Sequence, residues 1–413
     1  MESTPGMADL EARRPWIGRV VLWGAVSAAI LFAARVPAIE TPDSASYLAP
    51  ARSWAMGQGL READGSPLAY RMPAFPLSLG VAFRLFGEGP RVVGALNAAF
   101  LILAGFMVRR GILQATSPFV ADIAAAATIT YPPLLSSTAL VLQEVFLAFL
   151  IAALFLFTRE ALAQPGVRRA CVAGGALGAC ALGKSTVLAS APFILLLICA
   201  RGPGRVRRGA ALTLGAVLVM APLAVRNWST LGRFEFGPGN GGHTFLGGTV
   251  SNRIDDWQAF PEYREAVSDW REGDRRDWPV LDRYLAHVAV QRILHDPIHW
   301  LLLCVGRAGR FMLPARTWFV QVGLSESGTF HPVYLLATAF NLVLFGFNAR
   351  AALRAVRRRD EALGLGPVLV FSHMLIYVLT YVSPRYAVTI APVLIATSAL
   401  QMGRLESRVP PRL

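Results

Sequence analysis

Long apolar segments with few charged residues recur along this chain, and they limit the folds that it can adopt. Hydrophobic residues make up 54% of the 413 residues and charged residues only 16%, against about 25% charged in a typical soluble domain. Several segments approach twenty residues, the length at which a helix crosses a hydrocarbon layer with its backbone polar groups satisfied. The sequence therefore predicts an all-α polytopic membrane protein.

We predict about 10–12 transmembrane helices, together with helices that lie along the outer membrane surface. The candidate spans are residues 16–36, 92–108, 118–135, 139–158, 170–182, 187–200, 210–225, 332–347, 365–381 and 386–401. Residues 73–86 are apolar but short, and we expect them to re-enter or to lie along the surface. The placement of residues 298–314 stays open, and with it the exact helix count.

Basic residues cluster in short runs between the apolar segments, which is the positive-inside pattern. The net charge of +14 therefore indicates membrane topology, and no nucleic-acid partner is predicted. With residues 13–14 inside, the first outer loop covers 37–90 within an N-terminal module of 1–227. A large outer loop with interfacial helices follows at 228–331, and C-terminal spans occupy 332–413. A crossing at 300–313 would move the basic run 354–359 outside, so we expect that segment at the interface or as a shallow re-entry.

The residues from 41 to 76 concentrate polar groups directly after the first span. Asp43 and Tyr47 lie four positions apart, so a helix beginning near Pro42 would place both on one face, with Ser44 or Asp43 as its cap. Tyr70 and Arg71 follow in the same loop. A carboxylate at a membrane surface beside an arginine and aromatic rings suits chemistry on a polar substrate carried by a lipid. An interfacial helix with an aromatic anchor explains the same pattern.

The predicted topology brings several polar residues to one side of the membrane. Polar groups at membrane depth are costly and usually mark function. The residues on or near the outer face are Asp43, Arg71, Glu144, Lys184, Arg226, His243 and Arg385.

Six segments, in order along residues 16–401, resemble the GT-C membrane glycosyltransferases. Within that superfamily the resemblance is closest to bacterial relatives of protein O-mannosyltransferases and to the lipid A aminoarabinose transferase. The segments are TPDSASYL, YRMPAFPLSLGVAFRLFG, TYPPLLSSTALVLQEVFLAFL, GALGACALGKSTVLASAPFILLL, APLAVRNWSTLGRFEFGPGNGGHTFLGG and SPRYAVTIAPVLI. The resemblance implies a sugar donor on a polyprenyl phosphate and transfer on the extracytoplasmic face. It also implies a catalytic aspartate in the first outer loop, which maps to Asp43. Ser44 stands where members often carry a second acidic residue for metal binding or shared base duty.

Transfer of a sugar from a lipid phosphate needs a base on the acceptor hydroxyl and stabilisation of the departing anion. Because phosphate leaves readily, the paired acid and base of a glycosidase are not required. Asp43 is the candidate general base, and in-line attack would invert the anomeric centre.

Four cationic residues are candidates for the donor phosphate. Lys184, the only lysine in the sequence, lies between two apolar segments, where it would hold the phosphate or reach the interface by snorkelling. Arg385, Arg226 and Arg71 would each clamp phosphate, or anchor at lipid headgroups.

Four further residues are candidates for substrate binding. Tyr47 and Tyr70 would line the sugar site, although aromatic belts give the same pattern. Glu144 would orient cations or bind the acceptor, or form a structural ion pair. His243 closes a glycine-rich run beginning at residue 237 that we predict to be loop, where it would contact phosphate or sugar, or be solvated. The acidic pair at 255–256 suits a solvated outer layer.

Two further motifs do not indicate cofactors. Residues 178–185 fit the P-loop expression, but a P-loop follows a buried strand in a soluble domain, so we interpret this match as chance. The four cysteines show no disulfide or metal-type spacing. No metal site is predicted, and a divalent-metal requirement stays unknown.

The sequence thus predicts a bacterial inner-membrane glycosyltransferase that moves a sugar from a polyprenyl-phosphate donor to an extracytoplasmic acceptor. Membrane lipids are its surroundings, and the acceptor (protein, lipid A or glycan) stays undetermined. A multi-span transporter or flippase of lipid-linked sugars, or a noncatalytic cell-envelope assembly protein, is the alternative.

Overall fold

The computed structural model describes residues 5–200, 204–232, 234, 237, 240–251, 260–268, 278–313, 332–358 and 361–406. The first ten helices are α1 (Pro5–Arg35), α2 (Ala45–Ala55), α3 (Ala74–Phe86), α4 (Pro90–Leu113), α5 (Pro118–Thr130), α6 (Pro132–Ser137), α7 (Glu144–Ala163), α8 (Val167–Gly183), α9 (Ala191–Cys199) and α10 (Arg205–Leu231). The others are α11 (Gly241–Val250), α12 (Pro261–Ser268), α13 (Trp278–His295), α14 (Pro297–Phe311), α15 (Pro332–Arg358), α16 (Glu361–Leu379), α17 (Arg385–Val388) and α18 (Ala391–Glu406). A 3-10 segment, Ser185–Ser190, joins α8 to α9.

The all-α prediction is confirmed, since the described ranges contain two isolated β-bridges but no strand. Among the residues that the structure describes, five helices are long and apolar enough to cross a membrane. They are Pro15–Arg35, Pro90–Leu113, Glu144–Ala163, Arg205–Leu231 and Tyr334–Arg357. Shorter apolar helices accompany them, so the chain is a multi-span helical membrane protein.

Helix α7 lies at the centre of the bundle, and about two-thirds of the residues in its apolar stretch are buried. It packs against α4, α8, α16 and α18. Beside it, α8 and α10 make the most extensive helix pair. Gly174 and Gly178 face α10 so closely that a Cβ on Gly174 would collide with the carbonyl of Leu212. Small residues spaced in this way let helix backbones approach closely where no hydrophobic effect drives association.

The start of α7 differs from the predicted span at 139–158. Residues 139–143 are not helical, because they follow the N-terminal loop through a parallel bridge between Ile39 and Leu140. The side-chain amide of Asn97 donates to the carbonyls of Thr138 and Leu140, which satisfies backbone groups that no helix pairs. Helix α7 therefore begins at Glu144, at the end of the bundle that also holds the first loop.

The chain between α8 and α9 turns at a single residue. Lys184 has an extended backbone, with φ −156° and ψ 114°, and its N–H bonds to the carbonyl of Cys180. A helix precedes this residue where a P-loop requires a strand. The interpretation of residues 178–185 as a chance match agrees with this geometry.

The segment predicted to be the large outer loop contains helices α11 to α14, and one prediction about it is wrong. The glycine-rich run was expected to be loop through His243, but α11 begins at Gly241. The carboxylate of Asp282 accepts from the backbone N–H groups of Gly242 and His243, at 2.7 and 3.1 Å, and this capping starts the helix. The predicted acidic pair at 255–256 lies outside the described residues.

Helix α14 runs inward along α16. Arg307 bonds to the carbonyl of Thr380, just beyond the end of α16, whereas Phe311 packs deeper against His373 and Tyr377. The beginning of α14 therefore lies farther out than α16 reaches. Its placement at the outer interface or as a shallow re-entry stays a prediction.

Candidate functional site

A tight turn after α1 holds Asp43 just before α2. Ser44 was a predicted cap, but its hydroxyl makes no capping bond to α2. It accepts instead from the N–H of Thr41, at 2.7 Å, and donates to the carbonyl of Val141, at 3.0 Å. Asp43 also precedes the helix, which begins at Ala45, so the expected helical face shared by Asp43 and Tyr47 is wrong. The turn, tied to the segment before α7, presents the carboxylate of Asp43.

The Asp43 carboxylate lies between two arginines. One oxygen accepts from Arg71 at 2.7 Å, and the other accepts from Arg385. The Arg71 Nε also donates to the Ser46 hydroxyl at 2.8 Å, and that hydroxyl donates to the Asp43 carbonyl at 2.6 Å. The Asp43 side chain keeps 29% of its surface exposed, so the pair of arginines holds a carboxylate that solvent or a ligand still reaches.

The two arginines determine the protonation state of Asp43. Burial opposes ionisation of this carboxyl, but the charges of Arg385 and Arg71 and their hydrogen bonds outweigh burial and lower its pKa to about 2. Asp43 is therefore an anion at neutral pH. While both arginines stay in place, it is a weak base.

Arg385 is shared between two carboxylates. Its Nε lies 3.5 Å from an oxygen of Glu144, at the beginning of α7, and that glutamate side chain is only 4% exposed. The second Glu144 oxygen is buried without a hydrogen-bond partner among the described residues. Arg385 thus bridges the first loop and α7, and it leaves part of the hydrogen-bonding capacity of Glu144 unused.

Lys184 lies beside this group on two stacked tyrosine rings. Its ammonium is 3.6 Å from the ring centroid of Tyr386 and 5.1 Å from that of Tyr377, and the two ring centroids are 4.5 Å apart. Within the described part of the chain, the ammonium makes no hydrogen bond or ion pair. Burial lowers the pKa of Lys184 to about 7, and Glu144 opposes that effect only in part. A cation held by ring faces alone remains able to bind an anion.

The structure therefore brings together five predicted site residues that are far apart in the sequence. This carboxylate cluster consists of Asp43, Glu144, Arg71, Arg385 and Lys184. Three cations against two carboxylates leave one formal positive charge in excess, so the cluster can accept an anion.

The two predicted tyrosines of the first loop support Arg71. Its guanidinium carbon lies 4.8 Å from the ring centroid of Tyr47 and 5.0 Å from that of Tyr70. Tyr47 is buried and meets Phe75 edge to face. Tyr47 therefore orients Arg71 from the protein core and does not face an open site. Tyr70 is half-buried and lies at the surface of the loop.

Arg226 and His243 are engaged elsewhere. Arg226, on α10, donates to the carbonyls of Leu68 and Leu60 in the first loop, so its described bonds fasten that loop. His243 is buried in α11, where its Nδ1 lies 2.6 Å from the Tyr263 hydroxyl. These contacts join neither residue to Asp43, and their substrate roles stay predictions.

Three residues of the site were not predicted as members. Ser46 connects Arg71 to the Asp43 backbone, and Tyr377 and Tyr386 form the surface under Lys184. Tyr386 directly follows Arg385, which is a signal that the sequence contains. Tyr377 lies inside an apolar helix, where no local pattern distinguishes it from a packing residue.

No group of three or more His, Cys, Asp or Glu side chains suited to a metal ion occurs among the residues that the structure describes. Only Asp43 and Glu144 bring carboxylates to the cluster, and both contact Arg385.

Comparison with known proteins gives a structural resemblance only. No family model matches the sequence, and no curated protein sequence matches it significantly. Two crystal structures of ArnT from Cupriavidus metallidurans are similar to this chain. The apo structure is 14% identical with a TM-score of 0.39, covering 96% of this chain and 78% of that one. The structure bound to undecaprenyl phosphate is 15% identical with a TM-score of 0.39, covering 97% and 79%. ArnT is the lipid A aminoarabinose transferase, so the resemblance predicted from the sequence is confirmed as a resemblance. At this identity and TM-score it supports no statement about substrate or mechanism.

Proposed function

We propose that this chain is a membrane glycosyltransferase that moves a sugar from a polyprenyl-phosphate donor to an acceptor on the extracytoplasmic side. The observation that carries the proposal is the ammonium of Lys184, which lies beside the Asp43–Arg385 pair without an ion-pair partner among the described residues. A partly buried site with a surplus cation and a partly exposed carboxylate suits a reaction between a donor that carries a phosphate and an acceptor that carries a hydroxyl group.

The reaction is a displacement at the anomeric carbon of the donor sugar. The acceptor oxygen forms the new glycosidic bond while the bond from the anomeric carbon to the phosphate oxygen breaks, and its electron pair leaves with the lipid phosphate. Asp43 takes the acceptor proton. Attack opposite the leaving group inverts the anomeric centre.

Donor binding also makes Asp43 a better base. The phosphate competes with the Asp43 carboxylate for Arg385 and Arg71, because both groups are bidentate acceptors for guanidinium. When an arginine moves to the phosphate, the interactions that hold the pKa of Asp43 near 2 weaken. The carboxylate then accepts a proton more readily, and this happens only when the donor is present.

Lys184 and Arg385 share the departing charge. Lys184 contributes a compact charge, while Arg385 contributes a planar fork of donors. Tyr386 lies between them, with its ring centroid 3.6 Å from the lysine ammonium and 5.6 Å from the arginine carbon. Stabilisation of developing charge by fixed groups of this kind typically contributes roughly 10²- to 10³-fold to a rate.

The transporter or flippase alternative makes a different prediction for the same residues. A transporter site lies near the bilayer midplane between repeats, whereas this cluster combines the loop after α1, the beginning of α7 and the turn at Lys184. These elements meet at helix ends. An assembly protein without activity would need no exposed carboxylate beside a surplus cation.

The test is release of lipid phosphate from a panel of polyprenyl-phosphate sugars by the purified, full-length protein. We expect Asp43→Asn to lower the rate by about 10²- to 10⁴-fold, the range for loss of a general base, while the protein still inserts and folds. Glu88→Gln, which removes an exposed carboxylate paired with Arg52, is the matched control and should keep the parent rate. Transfer by Asp43→Asn at the parent rate would refute the base assignment. Parent protein that translocates these lipids in vesicles without releasing lipid phosphate would support the flippase.

A further inference from the structure

The backbone and the ammonium of Lys184 are held by different parts of the chain. The backbone N–H donates to the carbonyl of Cys180 at 2.7 Å, and the backbone carbonyl accepts from the N–H of Val187 at 3.1 Å. The ammonium lies at the end of a flexible stem of four carbons, so the fixed backbone does not determine where the charge lies. Its position depends on the side chains that contact it.

Thr186, two residues after this lysine, links the turn to α16. Its hydroxyl oxygen lies 3.0 Å from the hydroxyl oxygen of Tyr377, which is buried. Ser190, at the end of the same 3-10 segment, lies 2.7 Å from Ser372 between their hydroxyl oxygens. Two hydroxyl pairs therefore fasten the 3-10 segment to α16, and the first of them joins the turn to a ring that contacts the ammonium.

The Tyr377 ring has three aromatic neighbours. Phe311 and Tyr386 stack on it, with ring centroids 6.1 and 4.5 Å away, and His373 meets it edge to face at 4.9 Å. The Lys184 ammonium lies 5.1 Å from the Tyr377 centroid and 3.6 Å from the Tyr386 centroid. A ring attracts a cation within about 6 Å of its centroid, so the place of these two rings decides the place of the ammonium.

We propose that Tyr377 is a positioning residue for the donor phosphate, and that it acts by holding the ammonium of Lys184 in place. The inference rests on the phosphate role of Lys184 proposed above. The Tyr377 hydroxyl fixes the ring to Thr186, and the ring face holds the ammonium, so one side chain relates the backbone of the turn to the tip of the lysine. Ordering a long side chain before the donor arrives removes an entropic cost from binding.

The test measures the Kd of farnesyl phosphate for the purified full-length protein, with farnesol as the probe that lacks the phosphate. Tyr377→Phe keeps the ring and removes only the hydroxyl that lies beside Thr186. We expect farnesyl phosphate to bind roughly three- to tenfold more weakly, as for loss of one hydrogen bond, and farnesol to bind as before. Tyr131→Phe removes another buried tyrosine hydroxyl, which donates to Asn341 at 3.0 Å, and this matched control should bind like the parent.

Double variants test whether Tyr377 acts through Thr186 and Lys184. Thr186→Val should weaken binding as much as Tyr377→Phe, and the two together should weaken it no further, because both remove the same hydrogen bond. In a Lys184→Gln background, Tyr377→Phe should have no additional effect. The same loss in that background as in the parent would overturn the proposal, and so would a Tyr377→Phe protein that binds farnesyl phosphate as tightly as Tyr131→Phe.

The pH profile of the Kd separates positioning from general packing. Lys184 loses its charge as the pH rises through about 7, and the ionisation of the phosphate at about pH 6 contributes equally to every variant. A loosened ammonium is less buried, so its pKa should rise towards the ordinary value for lysine, and the loss of affinity should move to higher pH. An unchanged profile would overturn the proposal. Tyr377→Phe keeps the other charged or titratable groups around the ammonium, which are Glu144 from α7, Asp43 and Arg71 from the first loop, Arg385 and Tyr386 from α17, and His373 from α16.

The outcome for this inference is distinct from the outcome for the transfer reaction. Weaker binding by Lys184→Gln with parent-like binding by Tyr377→Phe would overturn the positioning role alone. Parent-like binding by Lys184→Gln would overturn both the positioning role and the phosphate role of the lysine. If Tyr377→Phe behaved as expected but the parent released no lipid phosphate from sugar donors, the positioning role would stand and the proposed transfer would be wrong.

Discussion

A buried arginine and a partly buried arginine in this protein are satisfied in opposite ways. Arg307, 1% exposed, donates to the carbonyls of Gly248 and Thr380, in the last turn of α11 and just past the end of α16, and reaches the sulfur of Cys304 at 3.1 Å. Arg385 pairs with the carboxylates of Asp43 and Glu144. Backbone carbonyls at helix ends are fixed in place and remain the acceptors of their arginine. A phosphate, by contrast, can replace carboxylates as the acceptor of an arginine. The comparison separates a cation that fastens helices from one that a substrate can engage.

The largest effect should follow from Arg385→Met. The substitution leaves Glu144 buried without its arginine, which typically costs about 3–5 kcal/mol of stability, and it removes a donor for the phosphate. We expect a marked fall in the unfolding temperature and loss of lipid-phosphate release. The double variant Arg385→Met with Glu144→Gln should recover most of the stability but not the transfer. An unchanged unfolding temperature in the single variant would show that Arg385 does not compensate Glu144.

Arg307→Met should have a smaller effect, confined to stability. Two buried carbonyls lose their donor, at about 1–3 kcal/mol for each unsatisfied group, so we expect the unfolding temperature in detergent to fall. Transfer per folded molecule, measured well below that temperature, should equal that of the parent. Arg310→Met, on the same helix, is the matched control and should unfold like the parent. If the folded Arg307→Met protein lost transfer activity, the conclusion that Arg307 contributes to stability alone, unlike Arg385, would be wrong.

The pH dependence of donor binding should report Lys184. Its pKa is lowered to about 7, so the ammonium is charged below that pH and neutral above it. Binding an anion favours the charged form, so donor affinity should fall as the pH rises through 7, by up to about tenfold per unit. Lys184→Arg should lose this dependence, because an arginine stays charged throughout. The measurement is the Kd of the donor lipid between pH 6 and 9; equal slopes for parent and variant would remove Lys184 from the phosphate site.

The smallest effect belongs to the exposed pair of Arg52 and Glu88, 2.6 Å apart at the surface. Exposed ion pairs contribute about 0–1 kcal/mol, so Glu88→Gln should shift the unfolding temperature little, and high salt should erase the difference. A fall in unfolding temperature as large as that of Arg307→Met would mean that solvent exposure does not determine how much this ion pair contributes to stability.

Hydropathy along the sequence was sufficient to predict a multi-span helical membrane protein, whereas the side of the membrane on which the polar residues emerge stays a prediction. Asp43, Arg71 and Lys184 were selected because each interrupts or ends an apolar segment on the same predicted side, and the structure brings them together. Membrane-spanning segments can be predicted from the sequence because they depend on the length of an apolar segment and on the charges that flank it.

Only the tertiary structure decided which cation pairs with which group. Arg226 and Arg385 look equivalent in the sequence, yet Arg226 fastens the first loop and Arg385 contacts Asp43 across 342 positions. The sideways packing of helices decides such pairings, and in a membrane it depends on shape, as in the close approach of α8 and α10 at Gly174. His243 shows the same limit, since its glycine-rich run resembles a loop until Asp282 caps it into a helix. The sequence determines where polar groups leave the bilayer, and lateral packing determines which of them meet.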